Sequence, residues 1–79
     1  MESHIKLRDM RSGQRGTVTD LGMEDRERFR LMEMGLLPGT ELRFVRRAPM
    51  GGPIEVEMRG FHLSLRAQEA SNIIVKVES

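Results

Sequence analysis

The sequence predicts a mainly β fold, a small β-barrel of about five strands with one α-helix between the first two strands. Apolar and polar residues alternate in three successive segments, which is the pattern of half-buried strands. Glycines and prolines separate these segments, and a stretch with helical spacing precedes them. Closing the sheet into a barrel would remove its exposed edges, which a chain of 79 residues has little other material to cover.

The amino-terminal part of the chain predicts a lead-in and a first strand. Leu7 and Met10 lie three positions apart in the lead-in, residues 5–13, and are expected to tuck under the domain. Residues 15–21 then predict a strand that is rich in β-favouring threonine, and in which Val18 faces inward.

A helix and a tight turn are predicted next. The helix spans residues 24–34 with acidic side chains at its amino end, and Gly35 ends it in the left-handed conformation. Residues 36–39 predict a type II turn, with Pro38 at the first central position and Gly39 at the second. Gly39 is therefore expected to have a positive φ.

The rest of the chain predicts four more strands. Gly60 marks a tight reversal between two of them, and residues 67–72 suit one short helical turn before the last strand. The apolar residues that face one way in these strands are, in order, Leu42 and Phe44; Ile54, Val56 and Met58; Phe61, Leu63 and Leu65; and Ile73, Val75 and Val77.

The composition favours a single cytoplasmic domain, residues 1–79. The chain has no cysteine, so neither disulfides nor thiolate metal sites can stabilise it, which is compatible with a reducing compartment. Residues 1–12 contain no continuous apolar stretch of the kind found in secretion signals. The longest aliphatic run, residues 73–75, is far shorter than the ~20 residues that a helix needs to cross a bilayer. We expect no direct membrane insertion.

The charge pattern argues against nucleic-acid binding. Thirteen basic residues stand against twelve acidic ones, and the two signs alternate along the chain, as on a solvated surface with cross-paired charges. Tyrosine and tryptophan are absent and only three phenylalanines occur, which leaves few platforms for stacking bases. We expect no nucleic acid among the partners.

No arrangement of residues predicts catalysis, a cofactor or a metal site. His4 and His62 are the only imidazoles, and neither is accompanied by other ligands at a metal-binding spacing. No serine has the sequence context of a nucleophile, and the glycines at 51 and 52 lack the lysine and following helix of a phosphate-binding loop. The sequence therefore predicts a protein that is not an enzyme, with no catalytic, cofactor-binding or metal-binding residues.

Three stretches of the sequence resemble the FeoA family. Residues 30–42, RLMEMGLLPGTEL, are similar to its helix end, apolar-Gly step and Leu-x-Pro-Gly-Thr turn. Residues 46–75 are similar to its basic-Ala-Pro loop, its Arg-Gly hairpin corner and its Leu-x-Leu-Arg strand with an Ala-rich turn. Residues 6–18 are similar to its Leu-x-x-apolar-x-x-Gly opening. Each motif is weak by itself, but they occur in order and span nearly the whole chain.

The resemblance implies an SH3-like β-barrel and a cytoplasmic accessory role in ferrous iron uptake. It also implies a partner, the FeoB-type membrane ferrous iron transporter, which would be regulated by protein–protein contact. The family supplies no settled catalytic residue and no established iron site to carry over. An alternative remains open, because iron-dependent repressors contain the same fold: the chain could be a detached regulatory module that binds a ligand, a peptide or nucleic acid. No helix-turn-helix precedes the domain, so a whole repressor is not expected.

Four apolar residues are candidates for the partner-binding surface: Phe29, Met32, Leu37 and Met50. The apolar arc of the helix is wider than one docking face requires, because Phe29 and Met32 fall beyond Leu31 and Met34. Met50 lies at a loop tip, where burial is not expected. Two interpretations stay open, since Phe29 and Met32 could also pack under a neighbouring loop and Met50 could merely cap its own loop.

Overall fold

The computed structural model describes residues 1–78 and contains six strands and two α-helices. The strands are β1 (Glu2–Lys6), β2 (Arg15–Leu21), β3 (Glu41–Arg47), β4 (Ile54–Met58), β5 (Phe61–Leu65) and β6 (Ile73–Glu78). The helices are α1 (Asp25–Glu33) and α2 (Ala67–Ala70), and a short 3₁₀ helix, Leu7–Asp9, follows β1. The mainly β class is confirmed, as is the short helical turn before the last strand.

The strands form one antiparallel sheet in the order β1-β6-β2-β3-β4-β5. The prediction of a closed barrel is wrong at the level of hydrogen bonding, because β1 and β5 each pair with one neighbour and form the two edges. The sheet still surrounds one core, since buried side chains of β2 to β6 belong to a single apolar cluster. Bulges in the β2–β6 and β3–β4 pairs add the local bend and twist that such curvature requires.

The prediction of five strands is also wrong, because the amino terminus adds a sixth. β1 pairs with β6 from Glu2↔Glu78 to Lys6↔Ile74. This strand raises the number of every later strand by one, so α1 lies between β2 and β3 rather than between the first two strands. Sequence alone did not indicate β1, because its stability comes from pairing with residues more than sixty positions away and only Ile5 packs against the core.

Helix α1 ends where the sequence predicted, at a glycine in the left-handed conformation. Gly35 has a φ of +99°, and its N–H donates to the carbonyl of Met32 at 3.0 Å. The N–H of Leu36 donates to the carbonyl of Leu31 at 3.1 Å, which completes a Schellman motif. The side chains of Leu31 and Leu36 are both fully buried, so the helix end is also anchored in the core.

The turn that follows α1 directs the chain into β3. The N–H of Thr40 donates to the carbonyl of Leu37 at 2.9 Å, so Pro38 and Gly39 occupy the two central positions. Gly39 has a φ of +94°, which confirms the predicted positive φ. The buried hydroxyl of Thr40 donates to the carbonyl of Gly35 at 3.1 Å and accepts from the N–H of Leu37 at 3.2 Å. The turn is therefore tied to the helix end.

We expect Gly39→Val to lower the free energy of unfolding by about 1–3 kcal/mol. No atom outside the turn lies within 4 Å of the position that a Cβ would take, so the cost comes from the positive φ, which a β-branched residue resists. Urea denaturation measures the loss. Gly39→Asn is the matched control. Asparagine tolerates this conformation, so this variant should keep most of the free energy of unfolding that the valine variant loses. Equal stability of the valine variant and the unsubstituted protein would contradict the argument.

The core contains nearly all the residues that were predicted to face inward. Leu7 and Met10 are 0% and 1% exposed, which confirms that the lead-in tucks under the sheet. The buried apolar set is Leu7, Met10, Val18, Leu21, Leu31, Leu36, Leu42, Phe44, Ile54, Val56, Met58, Leu65, Ala70, Ile73, Val75 and Val77. Phe61 differs from the prediction, because it lies at the sheet edge and is half exposed.

Candidate partner-binding site

In the part of the chain that the structure describes, four large apolar side chains besides Met1 are exposed. Their exposed fractions are 59% for Phe29, 42% for Leu37, 102% for Met50 and 46% for Phe61. Three of these four belong to the surface that was predicted from the sequence. Such residues are candidates for binding, because a partner that covers them removes apolar area from water and so stabilises the complex.

Phe29 and Met32 lie on α1 but differ in burial. Met32 is half-buried and packs against the core, so most of its role is structural. Phe29 is exposed, and the guanidinium of Arg28 lies 6.0 Å from the centre of its ring. The structure therefore leaves Phe29 available for a partner and makes Met32 part of the base of the helix.

Leu37 and Phe61 line one open depression of about 320 Å³, which we call the Leu37–Phe61 depression. It lies between the end of α1 and the β4–β5 hairpin. The Phe61 ring lies beside Gly35, since a Cβ added at Gly35 would be in ordinary contact with its Cζ atom, at 3.7 Å. The complete lining is Glu33, Met34, Gly35, Leu37, Thr40, Met58, Arg59 and Phe61. The depression combines an apolar base with one acidic and one basic side chain.

Met50 lies away from this depression. Leu37 precedes the start of β3, whereas Met50 is in the loop after its end, and the seven residues of β3 span roughly 20 Å. Met50 lines a second depression, together with Arg47 and Ala48. The structure thus divides the four predicted residues between two ends of the β3–β4 hairpin and does not bring Met50 next to Leu37.

Phe61 was not among the candidates from the sequence. Its alternation with Leu63 and Leu65 predicts an inward-facing side chain, and Leu65 is indeed buried. Phe61 is the first residue after a tight turn, in a strand that forms one edge of the sheet. The sequence shows the tight turn, since Gly60 marks it, but not that β5 lacks a neighbour on one side. The edge position, which leaves the ring half exposed, is a tertiary property.

An ion pair connects the two helices. Glu69 of α2 is only 5% exposed, and its carboxylate accepts from the guanidinium of Arg30 in α1. The Oε1 atom of Glu69 also accepts from the backbone N–H of Arg66 at 2.9 Å. Because both carboxylate oxygens have partners, the buried charge is compensated. The pair joins α1 to α2 in the carboxy-terminal part of the chain.

The outer face of the sheet has a charged row across three strands. Glu57 of β4 lies opposite Arg43 of β3 on one side and opposite His62 of β5 on the other. The Oε1 atom of Glu57 accepts from Nε of Arg43 at 3.0 Å, and its Oε2 atom lies 3.4 Å from Nε2 of His62. The hydrogen bond and the charge of Arg43, followed by His62, lower the pKa of Glu57 from its ordinary value near 4.5. The row links neighbouring strands.

We expect Arg43→Gln to raise the pKa of Glu57 toward its ordinary value, because the largest cause of the lowering is removed. The Arg43–Glu57 contact stabilises the fold fully at pH values above the ordinary pKa of Glu57. This contribution is lost as the pH falls through the lowered pKa of the folded state. NMR titration of the Glu57 carboxyl measures the change. His62→Gln is the control and should shift the pKa less. An unchanged pKa in the Arg43 variant would contradict the assignment.

Residues 1–78 contain neither a cluster of metal-ligating side chains nor a membrane-spanning helix. No group of three or more histidine or acidic side chains in that range is close enough together to hold a metal ion. In the same range, no helix has the length and apolar character that crossing a bilayer requires. The imidazole of His62 contacts Glu57 on the outer face of the sheet.

The fold and this surface define a small β-sheet protein with apolar depressions at both ends of a hairpin. The FeoA domain matches residues 5–77, and the chain belongs to the FeoA family. The resemblance found in the sequence is confirmed. Membership of the family implies an accessory role in ferrous iron transport.

Solved structures of related proteins share this fold. A FeoA from Chlorobium tepidum is 40% identical with a TM-score of 0.87, over 95% of this chain and 71% of that one. A FeoA from Stenotrophomonas maltophilia, solved with zinc, is 29% identical with a TM-score of 0.72, over 90% of this chain and 88% of that one. It is described as a prokaryotic SH3 domain protein and proposed as a bacterial ferrous iron transport activating factor.

The fold also occurs in a repressor. A manganese-dependent transcriptional repressor in complex with manganese is 27% identical with a TM-score of 0.81. The match covers 91% of this chain but only 35% of the repressor, so it corresponds to one part of that larger protein.

Proposed function

We propose that this protein regulates ferrous iron uptake by binding a FeoB-type membrane transporter from the cytoplasmic side. It acts through protein–protein contact, without catalysis and without a cofactor of its own. Two findings support the proposal: membership of the FeoA family, and a surface whose distinctive features are exposed apolar side chains. In this proposal, the transporter carries ferrous iron across the membrane.

The Leu37–Phe61 depression is the structural feature that gives the proposal its strongest support. Its two large side chains are 42% and 46% exposed, and covering them would remove apolar area from water. They are held by a Schellman motif, a tight turn and a hairpin, so they lose little conformational freedom when a partner binds. A few such residues commonly contribute most of the binding energy of an interface.

The alternative of a detached repressor-type module receives less support. The FeoA domain accounts for residues 5–77, whereas the repressor match corresponds to about a third of that protein. Shared fold does not imply shared function. The near balance of charge, +1 over the whole chain, also argues against nucleic acid as a partner.

A pull-down from membranes that contain the FeoB-type transporter tests the proposal. The immobilised protein is expected to retain the transporter from detergent extracts, and the same protein after thermal unfolding serves as the control. A second arm compares GTP hydrolysis by the transporter with and without the added protein, which distinguishes an effect on turnover from an effect on assembly. Failure of the folded protein to retain the transporter would overturn the proposed function.

A further inference from the structure

The loop between β3 and β4 holds Met50 in an unfavourable conformation. The N–H of Gly52 donates to the carbonyl of Pro49 at 3.3 Å, which makes Met50 and Gly51 the two central residues of a turn. Their φ angles are +61° and +73°, the combination of a type I′ turn, in which Asn-Gly is strongly preferred. A methionine at the first of these positions is disfavoured by its own Cβ.

The fold gains nothing from the Met50 side chain that would offset this strain. The residue is 102% exposed, so no burial compensates for the left-handed backbone. Met23, Met32 and Met34, by contrast, all pack against the core. A large apolar side chain that is both strained and fully exposed points to a role outside the folded chain, because strain of this kind is typical of functional positions.

The depression beside Met50 carries only positive charge. It has a volume of about 260 Å³, and we call it the Met50 depression. Its lining is Arg8, Arg47, Ala48, Pro49, Met50, Gly51, Gly52, Ile54 and Ala67. The Leu37–Phe61 depression differs, since Glu33 balances Arg59 there. The Met50 depression thus combines apolar walls with two guanidinium groups.

Both arginines retain capacity for a carboxylate from a partner. The nearest carboxylate to Arg8 is that of Asp9, and it is 3.8 Å from Nε, which is a weak contact on an exposed side chain. Within residues 1–78, Arg47 has no carboxylate at ion-pair distance. Its Nη2 atom donates to the carbonyls of Arg8 and Met10, at 2.6 and 2.9 Å, and its guanidinium lies 5.0 Å from the centre of the Phe44 ring. The fold therefore fixes this cation beside the depression.

We propose that the Met50 depression binds an acidic, apolar peptide segment of the transporter. The carboxylate of the segment binds Arg8 and Arg47, since the guanidinium fork matches a carboxylate, and a neighbouring apolar side chain packs against Met50 and Ile54. The inference rests on the proposed function and adds a second contact, at the opposite end of the β3–β4 hairpin from Leu37. A concave site fits a side chain of a protein better than the surface of a bilayer.

The test compares three variants with the unsubstituted protein in binding to the detergent-solubilised transporter. Met50→Asn should raise the melting temperature by about 2–5 °C, because asparagine suits the turn, and should weaken binding roughly tenfold. Arg8→Glu should weaken binding roughly tenfold or more and make it less sensitive to salt. Arg15→Glu, the same charge change on β2, is the matched control and should bind normally.

The outcomes distinguish the inference about the Met50 depression from the proposed function. If the unsubstituted protein fails to bind, the proposed function is overturned and the partner assigned to this depression falls with it. If the protein binds and the Met50 and Arg8 variants bind equally well, the inference is overturned while the proposed function stands. Binding of the unsubstituted protein to phosphatidylglycerol–phosphatidylethanolamine vesicles, lost in the same two variants, would make the site a lipid contact and also overturn the inference.

Discussion

We expect Leu31→Ala to lower the free energy of unfolding by about 2–5 kcal/mol. Leu31 is fully buried in the core, and its carbonyl accepts from the N–H groups of Met34 and Leu36 at the end of α1. Truncation removes apolar contacts and leaves a cavity beneath the helix end. Small domains have a total stability of about 5–15 kcal/mol, so the expected loss is a large part of it. Urea denaturation followed by circular dichroism measures the change.

Phe29→Ala is the matched control on the same helix. Phe29 is the larger side chain, but it is 59% exposed, so its truncation should cost less than about 1 kcal/mol. A loss as large as that of Leu31→Ala would show that Phe29 packs under a neighbouring element after all. A loss below 1 kcal/mol for Leu31→Ala would contradict the position of the helix on the core.

The double variant Leu37→Glu with Phe61→Glu should weaken binding to the transporter by roughly a hundredfold or more. Two anchors in the centre of an interface commonly contribute about 2 kcal/mol each, and every 1.4 kcal/mol is a factor of ten in affinity. Both side chains are about half exposed, so the fold should survive the change. Affinity is measured by binding to purified transporter that is immobilised on a sensor surface. Folding is checked by the melting temperature of the variant.

Arg15→Glu again provides the control, because it places a new acidic charge at an exposed side chain of β2. Normal binding by a folded double variant would show that the Leu37–Phe61 depression is not the interface. Unfolding of the double variant would instead assign Leu37 and Phe61 to the structural core. In that case Leu37→Ser, a smaller change at one of the two positions, repeats the binding measurement on a folded protein.

Local rules predicted most of the fold correctly. The helix end at Gly35, the positive φ of Gly39 and the reversal at Gly60 follow from conformations that glycine adopts more easily than other residues. The strands β3, β4 and β6 follow from alternation, because one face of each is buried. These features depend on near neighbours in the chain. That is why one sequence was enough to predict them.

The candidate site was predicted less completely. Phe29, Leu37 and Met50 were candidates for an exposed apolar surface, with burial of Phe29 left open, and the structure leaves all three at the surface. It did not show that Met32 packs against the core, because a helical wheel gives the direction of a side chain but not what covers it. Nor did it show that Leu37 and Met50 lie at opposite ends of one hairpin.

The sequence by itself determined the family, the mainly β class, the turns and nearly all of the core. Only the tertiary structure decided that β1 adds a sixth strand, that the sheet is open at β1 and β5, and that Phe61 joins Leu37 in one depression. The physical reason is the range of the interactions. Turns and strand periods are fixed within a few residues, whereas edges and depressions form where segments far apart in the chain meet.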